Sequence, residues 1–112
     1  MTHILIVEDE AHIAEGLQFN LEAEGFETTV LDNGREAVER LAEADSPFDL
    51  VILDVMLPEV GGFDVARRTR AAGNYVGILM LTALDDTPDV IRGLEEGADV
   101  HRRSERSKWP AH

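Results

Sequence analysis

Three short apolar runs, each stopping on an acid or a hydroxyl, constrain this chain more than any other feature. Ile4-Leu5-Ile6-Val7 runs into Glu8-Asp9-Glu10, Leu50-Val51-Ile52-Leu53 into Asp54, and Val76–Leu81 into Thr82. Apolar runs of this length, bounded by polar residues, suit strands buried on both faces of a parallel sheet. Glu27–Leu31 reads as a further short strand, and the first begins at His3.

The stretches between the runs read as helices. Ile13, Leu17 and Leu21 recur every fourth residue with Ala14 alongside, and Gly25 marks a stop. Asn33 is placed to cap a helix with Ala37, Val38, Leu41 and Ala42 on one face, ended by Asp45-Ser46-Pro47. A loop with Pro58 and Gly61-Gly62 leads into a helix over Phe63–Ala71, stopped by Gly73. Thr87-Pro88 opens another, with Val90, Ile91 and Leu94 on its apolar face and Gly97 closing it. Alternation of this kind predicts an α/β fold, a doubly wound parallel sheet with helices on both faces. If the winding reverses at the first strand, right-handed crossovers put the first helix on one face and the later helices on the other.

In such a sheet ligands bind outside the carboxyl ends of the strands, where the winding direction reverses. Glu8, Asp9, Asp54 and Thr82 stand at those ends. Three gathered carboxylates repel one another unless protonated or bridged by a cation. Their hard oxygens suit magnesium, which takes one or two carboxylates and completes its shell with water and phosphate oxygens. Asp54, before a Pro/Gly loop, is placed as a nucleophile toward a phosphoryl group, whose oxygens loop amides and Thr82 could hold. The bland alternative is that Glu8 and Asp9 are solvated acids capping the next helix.

Charge and composition narrow the function classes. The 112 residues suit one domain, and the absence of cysteine excludes disulfides, thiolate metal sites and cysteine nucleophiles. The net charge is −13, but it is unevenly spread. Residues 1–100 hold six basic and 22 acidic side chains, a net of −16, whereas residues 101–112 hold four basic and one acidic, a net of +3. So acidic a body repels nucleic-acid phosphates and anionic lipid, so no direct nucleic-acid or membrane binding is expected. The apolar runs are too short for a leader or a span, and a cytoplasmic location is the expectation.

The residues quoted above, taken in order, resemble the receiver (CheY-like) domain of two-component response regulators. The resemblance rests on Ile4–Glu10, Asp49–Pro58 with its Asp54-Val55-Met56-Leu57-Pro58, Gly62–Val65, Ile78–Ala83 and Gly93–Asp99. It covers residues 1–99, and the Gly-Leu-Glu-x-Gly-Ala-Asp segment with Arg92 looks most like the OmpR/PhoB winged-helix type. The resemblance implies a flavodoxin-like sheet with strand order 2-1-3-4-5. It implies that Asp54 accepts a phosphoryl group from a sensor histidine kinase. It further implies that Mg2+ is bound by Asp9, Asp54 and the backbone carbonyl of Met56, with Glu8 acting through water, and that Thr82 is the switch hydroxyl. In the full-length protein a C-terminal DNA-binding output domain would follow, regulating transcription. Such a domain is a signalling module rather than an enzyme, beyond slow self-dephosphorylation. A phosphatase reading is disfavoured, because Met56 stands where such an enzyme needs a second Asp.

The pattern departs from the family after Asp99. Val100 and His101 stand where an acid and the switch aromatic belong, and Ser104 and Glu105 where Lys-Pro belongs. The lysine would place an ammonium against the acids and the incoming phosphoryl group, and Lys108 lies four positions late for that role. The expected organisation is therefore a receiver domain over 1–100 and an atypical basic tail over 101–112. The tail reads either as a natural divergent end or, as the abrupt charge change and the single Trp at 109 favour, as a shifted reading frame or an added end. A fifth strand and fifth helix would be altered or missing. Bare strand surface beside the first helix would then favour a homodimer or an oligomer with exchanged elements. The loss of the lysine also keeps a second function open, a degenerate receiver that binds partners without phosphorylation.

The other residues read as ordinary. His3, His12, His101 and His112 lack metal-ligand spacing and are expected at the surface. Met56 and Met80 read as core or loop packing, Phe19, Phe26, Phe48 and Phe63 as core or helix anchors, and Arg67-Arg68-Arg70 as a solvated helix face.

Overall fold

The structure, a computed structural model, describes residues 2–43 and 45–81. The elements follow in strict alternation: β1 (His3–Val7), α1 (Ala11–Ala23), β2 (Glu27–Leu31), α2 (Gly34–Leu41), β3 (Leu50–Asp54), α3 (Gly62–Ala71) and β4 (Gly77–Leu81). All strand pairs are parallel, in the order β2-β1-β3-β4. The doubly wound α/β class and this part of the strand order are as the sequence implies. The expected fifth strand, the helix after Thr87-Pro88 and the basic tail lie outside the described residues.

Alternation along each strand divides the core. Ile4, Ile6, Leu50, Ile52, Leu79 and Leu81 form one cluster with Leu17 and Leu21 of α1. Leu5, Val7, Val51, Leu53, Ile78 and Met80 join Ala37 and Leu41 of α2 and Val65 and Ala66 of α3 on the opposite face. Each fully buried leucine or isoleucine contributes about 1.5–3 kcal/mol, so both faces of the sheet must be covered. The bare strip expected beside α1 is not found on the described strands, since Leu50, Leu79 and Leu81 are all buried.

Local signals set the helix boundaries. Asn33 caps α2 by accepting the Glu36 amide on its side chain at 2.8 Å. The helices α1 and α3 stop at Gly25 and Gly73, both with positive φ. Among the described residues no helix is long and apolar enough to cross a membrane.

Several single-residue expectations fail. On α1 the buried row is Ala14, Leu17 and Leu21, while Ile13 is 48% exposed. A 3.6-residue repeat turns away from a spacing of four, and the small Ala14 is what fits against the strands. Phe19 and Phe63 are exposed, Phe26 is half-buried, and only Phe48 is core. Met80 packs inside as read, but Met56 stands 77% exposed. His3 is half-buried rather than superficial: its Nε2 and the Thr29 Oγ1 share a 2.7 Å hydrogen bond, and its ring meets Phe48 edge-on. Arg67 and Arg68 are solvated, with Arg67 paired to Asp64, but Arg70 turns in to donate to the Asn74 and Val76 carbonyls.

Candidate functional site

Strand register brings the acids together. Val7 of β1 pairs with Leu53 of β3, so the next residue on each strand, Glu8 and Asp54, falls at the same level. The Glu8 amide continues the ladder by donating to the Leu31 carbonyl of β2 at 3.0 Å. Asp54 pairs with Leu81 of β4, and the Val55 amide donates to the Leu81 carbonyl at 3.0 Å. The carboxyl ends of β1, β3 and β4 are thereby levelled, and the acids gather at that edge. Glu8, Asp9 and Asp54 offer carboxylate oxygens that all lie within 4.8 Å of one another.

The three acids sit in different surroundings. Glu8 is only 4% exposed, Asp54 is half-buried and Asp9 is exposed. Burial pushes the Glu8 carboxyl up to about 7, helped by the Asp54 charge, a hydrogen bond with Asp54 and the Asp9 charge. The Glu10 amide, donating to Glu8 Oε2 at 3.0 Å, pulls the other way. Glu8 is therefore not the solvated capping acid of the bland reading, and α1 has no side-chain cap at all. A cleft of about 230 Å³, lined by Glu8, Asp9, Glu15, Gln18 and Asp32 among others, opens beside the cluster along α1.

The loop after β3 orients Asp54. The Met56 amide donates to Asp54 Oδ1 at 3.0 Å, which fixes the carboxylate's rotation. The start of α3 lies directly against the Asp54 main chain. A Cβ on Gly62 would overlap the Asp54 carbonyl oxygen and come within 2.9 Å of Val55 Cα, so only glycine permits this approach. The Gly62 amide also donates to the Val55 carbonyl at 3.1 Å. The sequence marked Gly61-Gly62 as a turn but did not single out Gly62 as a support for Asp54.

The donor set fits magnesium. Adjacent oxygens around an octahedral Mg2+ lie about 3 Å apart and opposite ones about 4.2 Å apart, from metal–oxygen distances near 2.1 Å. A spread of 4.8 Å needs little closing, and a divalent charge would offset the burial and the neighbouring acid charges that push the Glu8 carboxyl up. Of the sequence-predicted residues, Glu8, Asp9 and Asp54 are brought together, and Met56 lies on the loop that reaches back to Asp54. Thr82 lies outside the described residues.

Comparison with known proteins agrees with the fold. Residues 4–101 match the response regulator receiver domain. YkoG of Bacillus subtilis (strain 168), an uncharacterized transcriptional regulatory protein, is 46% identical over 97 residues, covering 87% of this chain and 42% of that protein. The DNA-binding response regulator MtrA of Mycolicibacterium paratuberculosis is 49% identical over 96 residues, covering 86% and 41%. The chain thus spans about two fifths of the length of these curated relatives. Among solved structures, the response regulator TrrA from Thermotoga maritima, in complex with Mg2+-BeF, superposes with a TM-score of 0.68 at 38% identity, covering 76% of this chain and 72% of that one. With its fold, its levelled acids and its sequence all in agreement, the chain belongs to the response regulator receiver domain family.

Proposed function

We propose that this chain is a phosphorylation-controlled signalling module in which Asp54 accepts a phosphoryl group from a sensor histidine kinase. The observation that carries this reading is the convergence of Glu8, Asp9 and Asp54 within 4.8 Å at the carboxyl edge of the sheet. Asp9, Asp54 and the Met56 backbone carbonyl would hold Mg2+, with Glu8 acting through water. When bound, the metal supplies positive charge to the phosphoryl oxygens.

The chain's own residues do the positioning. The Met56 amide holds the Asp54 carboxylate in one rotation, so that one of its oxygens can line up with phosphorus. The new bond is Asp54 O–P, and the P–N bond of the kinase phosphohistidine breaks, its electron pair leaving with the imidazole. Thr82 would then hold a phosphoryl oxygen as the switch hydroxyl. The added charge would shift the segment after β4 and so change partner binding. Since MtrA is a DNA-binding response regulator, we extend the reading to a DNA-binding output domain C-terminal to the receiver and to control of transcription. We assign the receiver to residues 1–100, and turnover would be limited to slow self-dephosphorylation.

The test is the intact mass after incubation with a small acyl phosphate and Mg2+, beside Asp54→Asn. One added phosphoryl group, absent from the variant, supports the reading. Ser104, at the place of the family lysine, favours the second reading, a receiver that binds partners without phosphorylation. No added mass on the folded chain would favour that module instead.

A further inference from the structure

We propose that Gly34, the first residue of α2, is a positioning residue for the phosphoacceptor loop, through a backbone seat under Val60; this rests on the magnesium reading above. Gly34 is distant in sequence from Glu8, Asp9 and Asp54, and none of them is among the nearest atoms to its Cβ position. A Cβ built on it would overlap the Val60 carbonyl oxygen and lie 2.9 Å from Val65 Cγ2 and 3.1 Å from Val60 Cβ. The backbone of α2 and the loop between β3 and α3 therefore meet at a distance that no other residue allows.

What is seated there is a strained turn. Glu59 has φ of 64°, the only positive value on a non-glycine residue among those described, and the Val60 amide donates to the Pro58 carbonyl at 2.7 Å. A hydrogen bond across one residue at positive φ is the γ-turn of the uncommon, strained hand. Such a conformation persists only where the surroundings over-determine it. Two seats do so here: Gly34 holds the Val60 carbonyl, and Gly62, two residues on, lies against the Asp54 carbonyl. The segment between Asp54 and Gly62 is clamped at both ends, and the Met56 amide that orients Asp54 lies within it. A push at Val60 therefore acts on the short segment that carries Met56 and Asp54.

The test compares Gly34→Ala with two controls in the full chain. Gly16→Ala adds a Cβ to α1 where nothing lies within 4 Å. Leu41→Ala opens a cavity at the other end of α2 from a fully buried side chain, destabilising that helix without adding an atom against the Val60 carbonyl. The readouts are the Mg2+ dissociation constant by calorimetry and the Met56 amide resonance of the metal-free protein. Gly34→Ala should weaken Mg2+ binding about tenfold, the low end of what outer hydrogen-bond partners do to metal sites, and move the Met56 resonance. Both controls should keep the wild-type affinity and resonance. A folded Gly34→Ala with unchanged affinity and resonance, or a Leu41→Ala that weakens binding equally, overturns the proposal. Should Gly34→Ala not fold, Glu59→Gly, which frees the turn that the seat restrains, carries the test, with weaker binding and a moved Met56 resonance expected and both unchanged overturning the proposal. A wild-type chain that binds no Mg2+ refutes the metal reading instead, and the Met56 resonance still decides whether Gly34 positions the loop.

Discussion

Glu8 and Asp54 face each other across the carboxyl ends of β1 and β3, and Glu8 stays protonated up to about 7 through its burial and, next, through Asp54. One of the two neighbouring acids is thus held neutral where both would otherwise repel. This arrangement ties the site to pH.

Without metal, stability should fall as pH rises through about 7. The folded chain keeps a proton on Glu8 that the unfolded chain, at 4.5, has released. Between those values the folded state binds more protons, so the contribution is full below 4.5 and is lost as pH passes 7. Urea denaturation of wild type and Glu8→Gln at several pH values in EDTA measures this. The wild type should lose stability relative to the variant across that window, and parallel curves would contradict the assignment. Magnesium affinity should rise over the same range, because the metal needs the carboxylate deprotonated.

Asp9→Ala should weaken Mg2+ binding by about tenfold or more while leaving the fold intact, since Asp9 is exposed and at the edge of the cluster. Calorimetry reads the affinity directly. An unchanged value would remove Asp9 from the metal shell. The same substitution should lower the Glu8 value, whose upward shift owes a part to the Asp9 charge.

Replacement of Gly62 by alanine should cost stability, about 1–3 kcal/mol for overpacking against a backbone carbonyl. It should also slow phosphorylation of Asp54 by a small acyl phosphate, because the displaced carbonyl belongs to the nucleophile's own residue. Denaturation and time-resolved intact mass read the two effects.

The two halves of the α1 repeat should respond differently to truncation. Leu17→Ala should cost about 2–5 kcal/mol, as for other buried leucines, since Leu17 is 1% exposed. Ile13→Ala, at a half-exposed position, should stay within about 0.5–1 kcal/mol. Equal losses in chemical denaturation would contradict the placement of the helix. On α2, Asn33→Ala should cost about 1 kcal/mol through the lost bond to the Glu36 amide.

The architecture was legible in the sequence because its signals are local. Apolar runs that stop on acids, an Asn before a helix and glycines after two others are set by neighbours along the chain, and they put Glu8, Asp9 and Asp54 at strand ends. Period-two alternation also determined which strand residues face α1 and which face α2 and α3. Other properties depend on what packs against a residue from far along the chain, and no local pattern records that. Tertiary contact left Ile13, Phe19 and Phe63 exposed, drew His3 against Thr29 and Phe48, and turned Arg70 onto the carbonyls before β4. It also decided that Glu8 is buried, its carboxyl pushed up to about 7, while Asp9, its neighbour in sequence, is not buried. Register between β1 and β3 did the same for the site: the sequence determined that three acids end the strands, and the parallel pairing of Val7 with Leu53 brought their oxygens within reach of one cation.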